Sequence, residues 1–316
     1  MHIYLDYNAS TPIHPAVAFA MGPFLEDHYG NPSSGHWAAT TAKTALETAR
    51  GQVAVLLGCQ NDDIVFTSGG SEANNFALKG VFVALRHKGH HIITTRVEHP
   101  AIIEPCRFLE RLGARVTYLP VDGTGRIDPD ELRKAITPGT ILISIMHANN
   151  EVGTIQPIAD CAQVAHEHGL LFHTDAAQSV GKVRTDVKEL GVDLLSIAGH
   201  KLYAPKGVGA LFVRRGVSLE PLIHGAGHEG GRRAGTESPL LACYCAWTRY
   251  RVRRPRQPPI RVCDRNSSRG QHGGHRRDDL DALLYPGTTG CVTRDAAGPY
   301  TRRQAAVRRA RPFTRA

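Results

Sequence analysis

No apolar run in this sequence approaches the roughly 20 residues that a membrane-spanning helix needs. Its first residues, Met1-His2-Ile3-Tyr4-Leu5-Asp6, lack the basic start and apolar stretch of a secretory signal. The seven cysteines are odd in number and scattered, with no CxxC and no Cys/His cluster at zinc spacing; Cys243 and Cys245 are one residue apart. Neither a disulfide framework nor a zinc site is expected, and a reducing cytoplasm is the expected compartment. His166 and His168 are two apart, so on a helix they point to different faces. They and the polar cluster His87, His90 and His91 read as surface residues, so no metal is expected. A Walker sequence is also absent, since no Gly-Lys-Ser/Thr follows the small-residue turn at Thr67-Ser68-Gly69-Gly70-Ser71-Glu72.

Lysine is missing from the last third of the chain. Residues 239–316 hold 17 Arg, no Lys and 5 acidic residues, a balance of +12, although the whole chain carries only +9. Residues 1–238 are therefore mildly acidic, at −3. Arg249 to Arg261 is rich in Arg and Pro, and Ser267 to Arg277 is polar and glycine-rich, both poor material for a core. The division expected is a folded domain over 1–238, including the start of a second, smaller domain, and an arginine-rich, disordered or frameshifted tail over 239–316.

The body reads as strands alternating with helices, an α/β pattern that predicts a largely parallel, doubly wound sheet. A short strand is expected at Ile3 to Leu5. A helix is expected from about His36 to Leu57, with Ala42, Ala45, Ala49, Val53 and Leu56 on one face and Gly58 to end it. Strands follow at Ile64–Phe66, Ile92–Thr95, Arg115–Leu119, Ile141–Met146, Leu170–Phe172, Val192–Ile197 and Val208–Val213. A helix carries Ala73, Ala77, Val81 and Ala84, Pro100 opens another, and one runs from about Pro157 to His168. Asp128 with Glu131 three residues on predicts a capping box. Gly225-Ala226-Gly227-His228-Glu229-Gly230 spells GxGxxG, but no helix pattern follows it, so it reads as a flexible loop and not a dinucleotide site.

Several strand ends carry polar residues: Ser71, His99, Asn150, Asp175 and Lys201. In a doubly wound sheet such ends converge on one crevice. The strand-turn-helix at Gly69-Gly70-Ser71 can face an anion with free N–H groups, the helix dipole and serine hydroxyls, although an ordinary capped helix needs the same residues. Lys201, in Gly199-His200-Lys201 at the end of an apolar strand, is placed where desolvation lowers its pKa and frees a nucleophilic amine; the plain alternative is a surface lysine in a hairpin loop. Lysine, aspartate, glutamine, histidine and a phosphate cradle together describe a pyridoxal phosphate site.

The chain resembles the cysteine desulfurases of the NifS/IscS type, in the class V aminotransferase group of fold-type I pyridoxal phosphate enzymes. The matching stretches are Tyr4-Leu5-Asp6-Tyr7-Asn8-Ala9, Tyr29-Gly30-Asn31-Pro32-Ser33-Ser34, Thr67 to Asn75, Glu98-His99, Asn149-Asn150-Glu151-Val152-Gly153, His173 to Gln178, Gly199-His200-Lys201 and Arg233-Ala234-Gly235-Thr236. The resemblance implies that Lys201 holds the cofactor covalently and later moves protons at the substrate Cα. It implies that Asp175 pairs with the pyridine nitrogen, that His99 stacks on the ring, and that Gln178 bonds the phenolic oxygen. Asn150 would contact substrate or ring, Gly70, Ser71 and His200 would bind phosphate, and Thr236 would complete the phosphate site of a partner subunit in a homodimer. Ala198 stands where many relatives carry a phosphate-binding serine.

In that family L-cysteine is converted to L-alanine and a persulfide on an enzyme cysteine, which supplies a sulfur acceptor or iron–sulfur scaffold protein, or tRNA thiolation. The mobile loop bearing that cysteine and the arginine motif for substrate carboxylate lie downstream of Arg-Ala-Gly-Thr, and neither is found after Pro239. Cys291 is nearest by position, but its surroundings do not match. The expectation is a desulfurase, frameshifted or truncated and inactive for want of its catalytic loop. The alternatives are a noncatalytic pyridoxal phosphate-binding protein with a nucleic-acid-binding basic tail, or a related lyase acting on selenocysteine or kynurenine-like substrates. Against nucleic acid as a partner, the tail has little aromatic interleaving.

Overall fold

The computed structural model describes residues 2–237; the expected tail over 239–316, with Cys243, Cys245 and Cys291, lies outside the described residues. Its elements run α1 (Pro15–Glu26), α2 (Trp37–Leu57), β1 (Ile64–Thr67), α3 (Gly70–Leu85), β2 (His91–Thr95), α4 (Pro100–Glu110), β3 (Arg115–Leu119), α5 (Pro129–Ala135), β4 (Thr140–Ser144), α6 (Ile158–Glu167), β5 (Leu171–Asp175), α7 (Val187–Leu190), β6 (Leu194–Ala198) and β7 (Gly209–Val213). The strands form one sheet in the order β1-β7-β6-β5-β4-β2-β3.

Pairing is parallel from β3 through β2, β4 and β5 to β6, and antiparallel on both sides of β7. The reversal has a simple cause. A parallel crossover needs a dozen or more residues, and only the short segment 199–208 joins β6 to β7. The sheet is mixed in one strand, and the carboxyl ends of β1, β2, β4, β5 and β6 still share one edge.

Both faces of the sheet are covered, which is why its strands read as continuous apolar runs. Ile64 and Phe66 belong to the core on one face of the sheet, which also takes in Leu46, Val53 and Leu57 of α2, Leu132 of α5 and Ala165 of α6. Val65 belongs to the core on the other face, together with Phe76 and Val81 of α3 and Ile102 and Leu109 of α4. In α2 the buried positions Ala42, Leu46, Ala49, Val53 and Leu57 recur every three or four residues, and Gly58 ends the helix with φ +72°.

Several expectations are corrected. Ile3 to Leu5 forms no strand; Ile3 is 80% and Leu5 83% exposed, so no apolar burial drives pairing there. That stretch instead leads into a segment bound to the loop after β6, where Thr11 donates its N–H and hydroxyl to His200 O and His14 N–H bonds Tyr203 O. β5 continues three residues beyond the expected Phe172, so that Asp175 is its last residue. Asp128 caps α5 through Asp130 N–H, but Glu131 turns to Lys134 and no reciprocal box forms. His91 is buried, not superficial: its ring bonds the hydroxyls of Thr140 and Thr117. The GxGxxG segment is no flexible loop. Glu229 within it is buried, pairs with Arg50 at 2.7 Å and accepts from Phe66 N–H at 2.9 Å.

Candidate active site

The carboxyl edge of the sheet opens into a cleft of about 230 Å³. Its walls include Ser68, Gly69, Gly70 and Ser71 after β1, His99 after β2, Met146, Ala148 and Asn150 after β4, Asp175, Ala177 and Gln178 after β5, and Ala198, His200 and Lys201 after β6. Of the residues named from the sequence, Gly70, Ser71, His99, Asn150, Asp175, Gln178, His200 and Lys201 thus line one cavity. Thr236 does not. It is exposed and lines a separate small cleft with Thr67, Gly207 and Arg233, on the far side of the Ser68 turn.

Lys201 sits in a short 3-10 turn, Gly199–Lys201, that continues directly from β6. Its Nζ donates to Asn8 O at 3.1 Å. Burial pulls its ammonium below the ordinary lysine value, against the opposing attraction of Asp175 and Asp6. Asn8 O also accepts from Gln178 Nε2 at 2.9 Å, so the amino-terminal segment closes over both side chains. Lys182 donates to Gln178 Oε1 and fixes which way that amide points.

Asp175 is buried at the end of β5. Its Oδ2 accepts from Asn74 Nδ2 at 2.7 Å and its Oδ1 from Ala177 N–H at 2.9 Å. Two strand positions earlier, the buried His173 bonds Ser144 Oγ on β4 and Ser196 Oγ on β6. Burial pushes its imidazole down to about 3, so it is neutral and serves as a crosspiece beneath Asp175.

His99 caps α4: its Nδ1 accepts from Ala101 N–H at 3.1 Å, which in a neutral ring leaves the proton on Nε2. Behind it, Glu98 accepts from Thr95 Oγ1 and Met146 N–H, and burial pushes its carboxyl up to about 8. Asn150 turns to Glu151 Oε1. His200 is held below the ordinary histidine range by burial and by the neighbouring charge of Lys201.

The residues fit a flat aromatic cofactor with an anionic group. Asn74, on the cleft wall, keeps its buried Oδ1 without a partner. At the other side the first N–H groups of α3 have no intrahelical acceptors and converge on the turn where Ser71 stands. Space there is tight. A Cβ on Gly70 would come within 3.1 Å of Ala198 Cβ, and one on Gly209 within 2.5 Å of Gly69 Cα. Sequence reasoning gave no role to Asn74, Lys182 or Asn8. For Asn74 the signal was present: four residues after Gly70 it lies on the helix face turned to the sheet, where a polar residue needs a partner.

A family model described as aminotransferase class-V matches residues 3–233. The chain belongs to this family. Class-V aminotransferases of this kind are pyridoxal phosphate-dependent enzymes, and the cleft carries the groups that such a cofactor needs. Among relatives, the chain is 56% identical to the cysteine desulfurase IscS of Dictyoglomus turgidum over 236 residues, 75% of this chain and 60% of that protein. With the IscS of Methanosarcina thermophila the identity is 51%, over 75% and 58% of the two chains. A solved structure of SspA in complex with cysteine superposes with a TM-score of 0.77 at 44% identity, covering 79% of this chain and 73% of the other. A NifS-like protein gives 0.76 at 40%, covering 79% and 69%. The chain spans about 60% of the length of the curated relatives it matches.

The class-V cleft contains no thiol among the described residues. Cys106 and Cys161 are buried in the core and Cys59 is half-buried at the end of α2; burial pushes all three up to about 12. A thiol with that pKa is almost wholly protonated at neutral pH and is a poor nucleophile. No described helix is long and apolar enough to cross a membrane.

Proposed function

We propose that residues 1–238 are the cofactor-binding part of a pyridoxal phosphate-dependent cysteine desulfurase, which takes L-cysteine to L-alanine and passes the sulfur to a protein acceptor. The observation that carries the reading is the facing of a desolvated Lys201 amine and a buried Asp175 carboxylate across one cleft with a helix amino terminus at its end. When bound, the cofactor supplies an electron sink for the pair released at the substrate Cα.

The chain's own groups do the rest. Lys201 Nζ is the group that would hold the cofactor, and as an amine beside the substrate Cα it would move the proton there. Asp175, fixed by Asn74 and Ala177, would keep a proton on the pyridine nitrogen. His99 keeps Nδ1 engaged with Ala101 N–H, so Nε2 is the ring nitrogen available to the cleft. Gln178, oriented by Lys182, donates toward the phenolic oxygen. Gly70, Ser71 and His200 would hold the phosphate, and Asn150 would border the substrate side. Thr236 serves the cradle of a partner subunit in a homodimer, in keeping with its position outside its own chain's cleft.

The sulfur-accepting thiol comes from outside residues 2–237, because none of the described cysteines reaches the cleft. The sequence after Pro239 shows no matching cysteine loop, so the proposal for the chain as given is cofactor chemistry without sulfur transfer, the acceptor in the complete reaction being an iron–sulfur scaffold or a tRNA-thiolating carrier.

Two measurements separate the halves of the proposal. Addition of pyridoxal phosphate to the full chain is expected to give the visible absorption band of a lysine-bound cofactor, abolished in Lys201→Ala; a band retained in that variant overturns the assignment of Lys201. Exchange of the Cα proton of L-alanine for deuterium, followed by NMR, is expected to proceed while sulfide release from L-cysteine does not. Sulfide release at family-like rates would refute the inactivity.

A further inference from the structure

Glu72 presents a difficulty for any anion at the turn after β1. Its carboxylate lies on the wall of the same cleft as Gly70, Ser71 and Lys201, and its Oε2 occupies Ser68 N–H at 2.9 Å. A negative charge there repels a phosphate. Burial works to raise the Glu72 carboxyl, yet bonds from Arg233 and Ser68 hold it below the ordinary range, so it is ionised at neutral pH.

Arg233 answers that charge. Its Nε donates to Glu72 Oε1 at 2.6 Å and its second guanidinium nitrogen to Oε2 at 3.3 Å, a two-pronged pair between side chains that are 20% and 12% exposed. The other carboxylates around Arg233 have partners of their own. Glu229 is paired with Arg50, and Glu237 accepts from Ser33 Oγ and Glu229 N–H. Among the described residues Arg233 is the one ion-pair partner of Glu72.

We propose that Arg233 is a positioning residue for the phosphate of the cofactor: it cancels the charge of Glu72 and, through that carboxylate's bond to Ser68 N–H, holds the turn so that the N–H groups of Gly70 and Ser71 face an anion. This rests on the reading of that turn as the phosphate site. It also explains why the pair is arginine and glutamate and not an apolar contact. The carboxylate is the strap that shapes the turn, and the guanidinium makes the strap electrically neutral.

The sign of the effect distinguishes charge compensation from a plain structural clasp. Calorimetric titration of the full chain with pyridoxal phosphate, and with pyridoxal as the phosphate-free control, provides the readout. Arg233→Met is expected to weaken pyridoxal phosphate about tenfold, a loss typical of one uncompensated nearby charge, and to leave pyridoxal unchanged. Glu72→Gln keeps an acceptor for Ser68 N–H and removes the charge, so binding is expected to be equal or tighter. The double variant Glu72→Gln/Arg233→Met is expected to return to wild-type affinity. It also decides the matter if Arg233→Met alone does not fold. Loss in Glu72→Gln equal to that in Arg233→Met without rescue in the double variant, or equal weakening of pyridoxal, overturns the inference while leaving the phosphate site intact. If the wild-type chain binds both compounds alike and Ser71→Ala changes nothing, the phosphate reading fails and the inference with it.

Discussion

The two edges of the sheet carry similar polar residues to opposite ends. At the amino edge, His91 has both ring nitrogens bonded to threonine hydroxyls, and Asp193 takes Phe172 N–H and His166 on Oδ2, while its Oδ1, without a hydrogen bond, is neutralised by ion pairing with Arg214. At the carboxyl edge, Asn74 keeps a buried oxygen without a partner, and Lys201 donates to the backbone carbonyl of Asn8 while opposite charges lie nearby. Saturated polar groups hold a fold together. Groups left short of partners, in a cavity, are held ready for a ligand.

That contrast can be broken by exchanging the defects. The largest effect is expected at Asp175→Asn. The fold survives, since the new amide oxygen still takes Ala177 N–H and its NH2 can donate to the unpartnered Oδ1 of a flipped Asn74, but Cα proton exchange falls by a factor of about 100 or more, as when one preorganised charge is removed from a site; NMR exchange rates check it. A variant as slow as this with a matching loss of thermal stability would erase the distinction. Asp193→Ala is expected to do the reverse. Destabilisation of roughly 3 kcal/mol follows from leaving Phe172 N–H unpaired beside an orphaned Arg214, with cofactor affinity little changed; chemical denaturation measures it.

Gly209→Ala tests the packing of the carboxyl edge, where Gly209 lies opposite Thr67 and Ala198. Its new methyl would lie 2.5 Å from Gly69 Cα, 2.6 Å from Gly69 C and 2.7 Å from Ile197 O, all backbone atoms that cannot swing aside. A cost of about 2 kcal/mol is expected, typical of overpacking, together with weaker pyridoxal phosphate binding because the phosphate turn is the part displaced. The smallest effect is a pH dependence. Glu98 is held protonated in the fold with a pKa raised to about 8, against an ordinary value of 4.5. Between those values the unfolded chain has released a proton that the folded chain keeps. This contribution to stability is therefore whole below pH 4.5 and is lost as pH rises through 8. Glu98→Gln, which keeps an acceptor for Met146 N–H and Thr95, is expected to flatten that slope in denaturation curves taken at several pH values.

Much of this was legible in the chain alone. Continuous apolar strands flanked by helices of 3.6-residue period determined an α/β sheet covered on both faces, since burial on two sides requires such runs. Polar residues directly after those runs had to share one edge, which brought Gly70, Ser71, His99, Asn150, Asp175, Gln178, His200 and Lys201 together. Local chemistry also set the αL end of α2 at Gly58. What the sequence did not disclose depended on distance along the chain. Glu229 looked like part of a glycine loop because its partner Arg50 is 179 residues away, and Arg233 is 161 residues from Glu72. The reversal of β7, the burial of His91 and the closure of Asn8 over Lys201 and Gln178 have the same origin. Pattern and propensity act over a few residues, so they determined the elements and the crevice. The pairing of a charge or an amide with its partner is decided by packing across the whole domain, and only the tertiary structure could supply it.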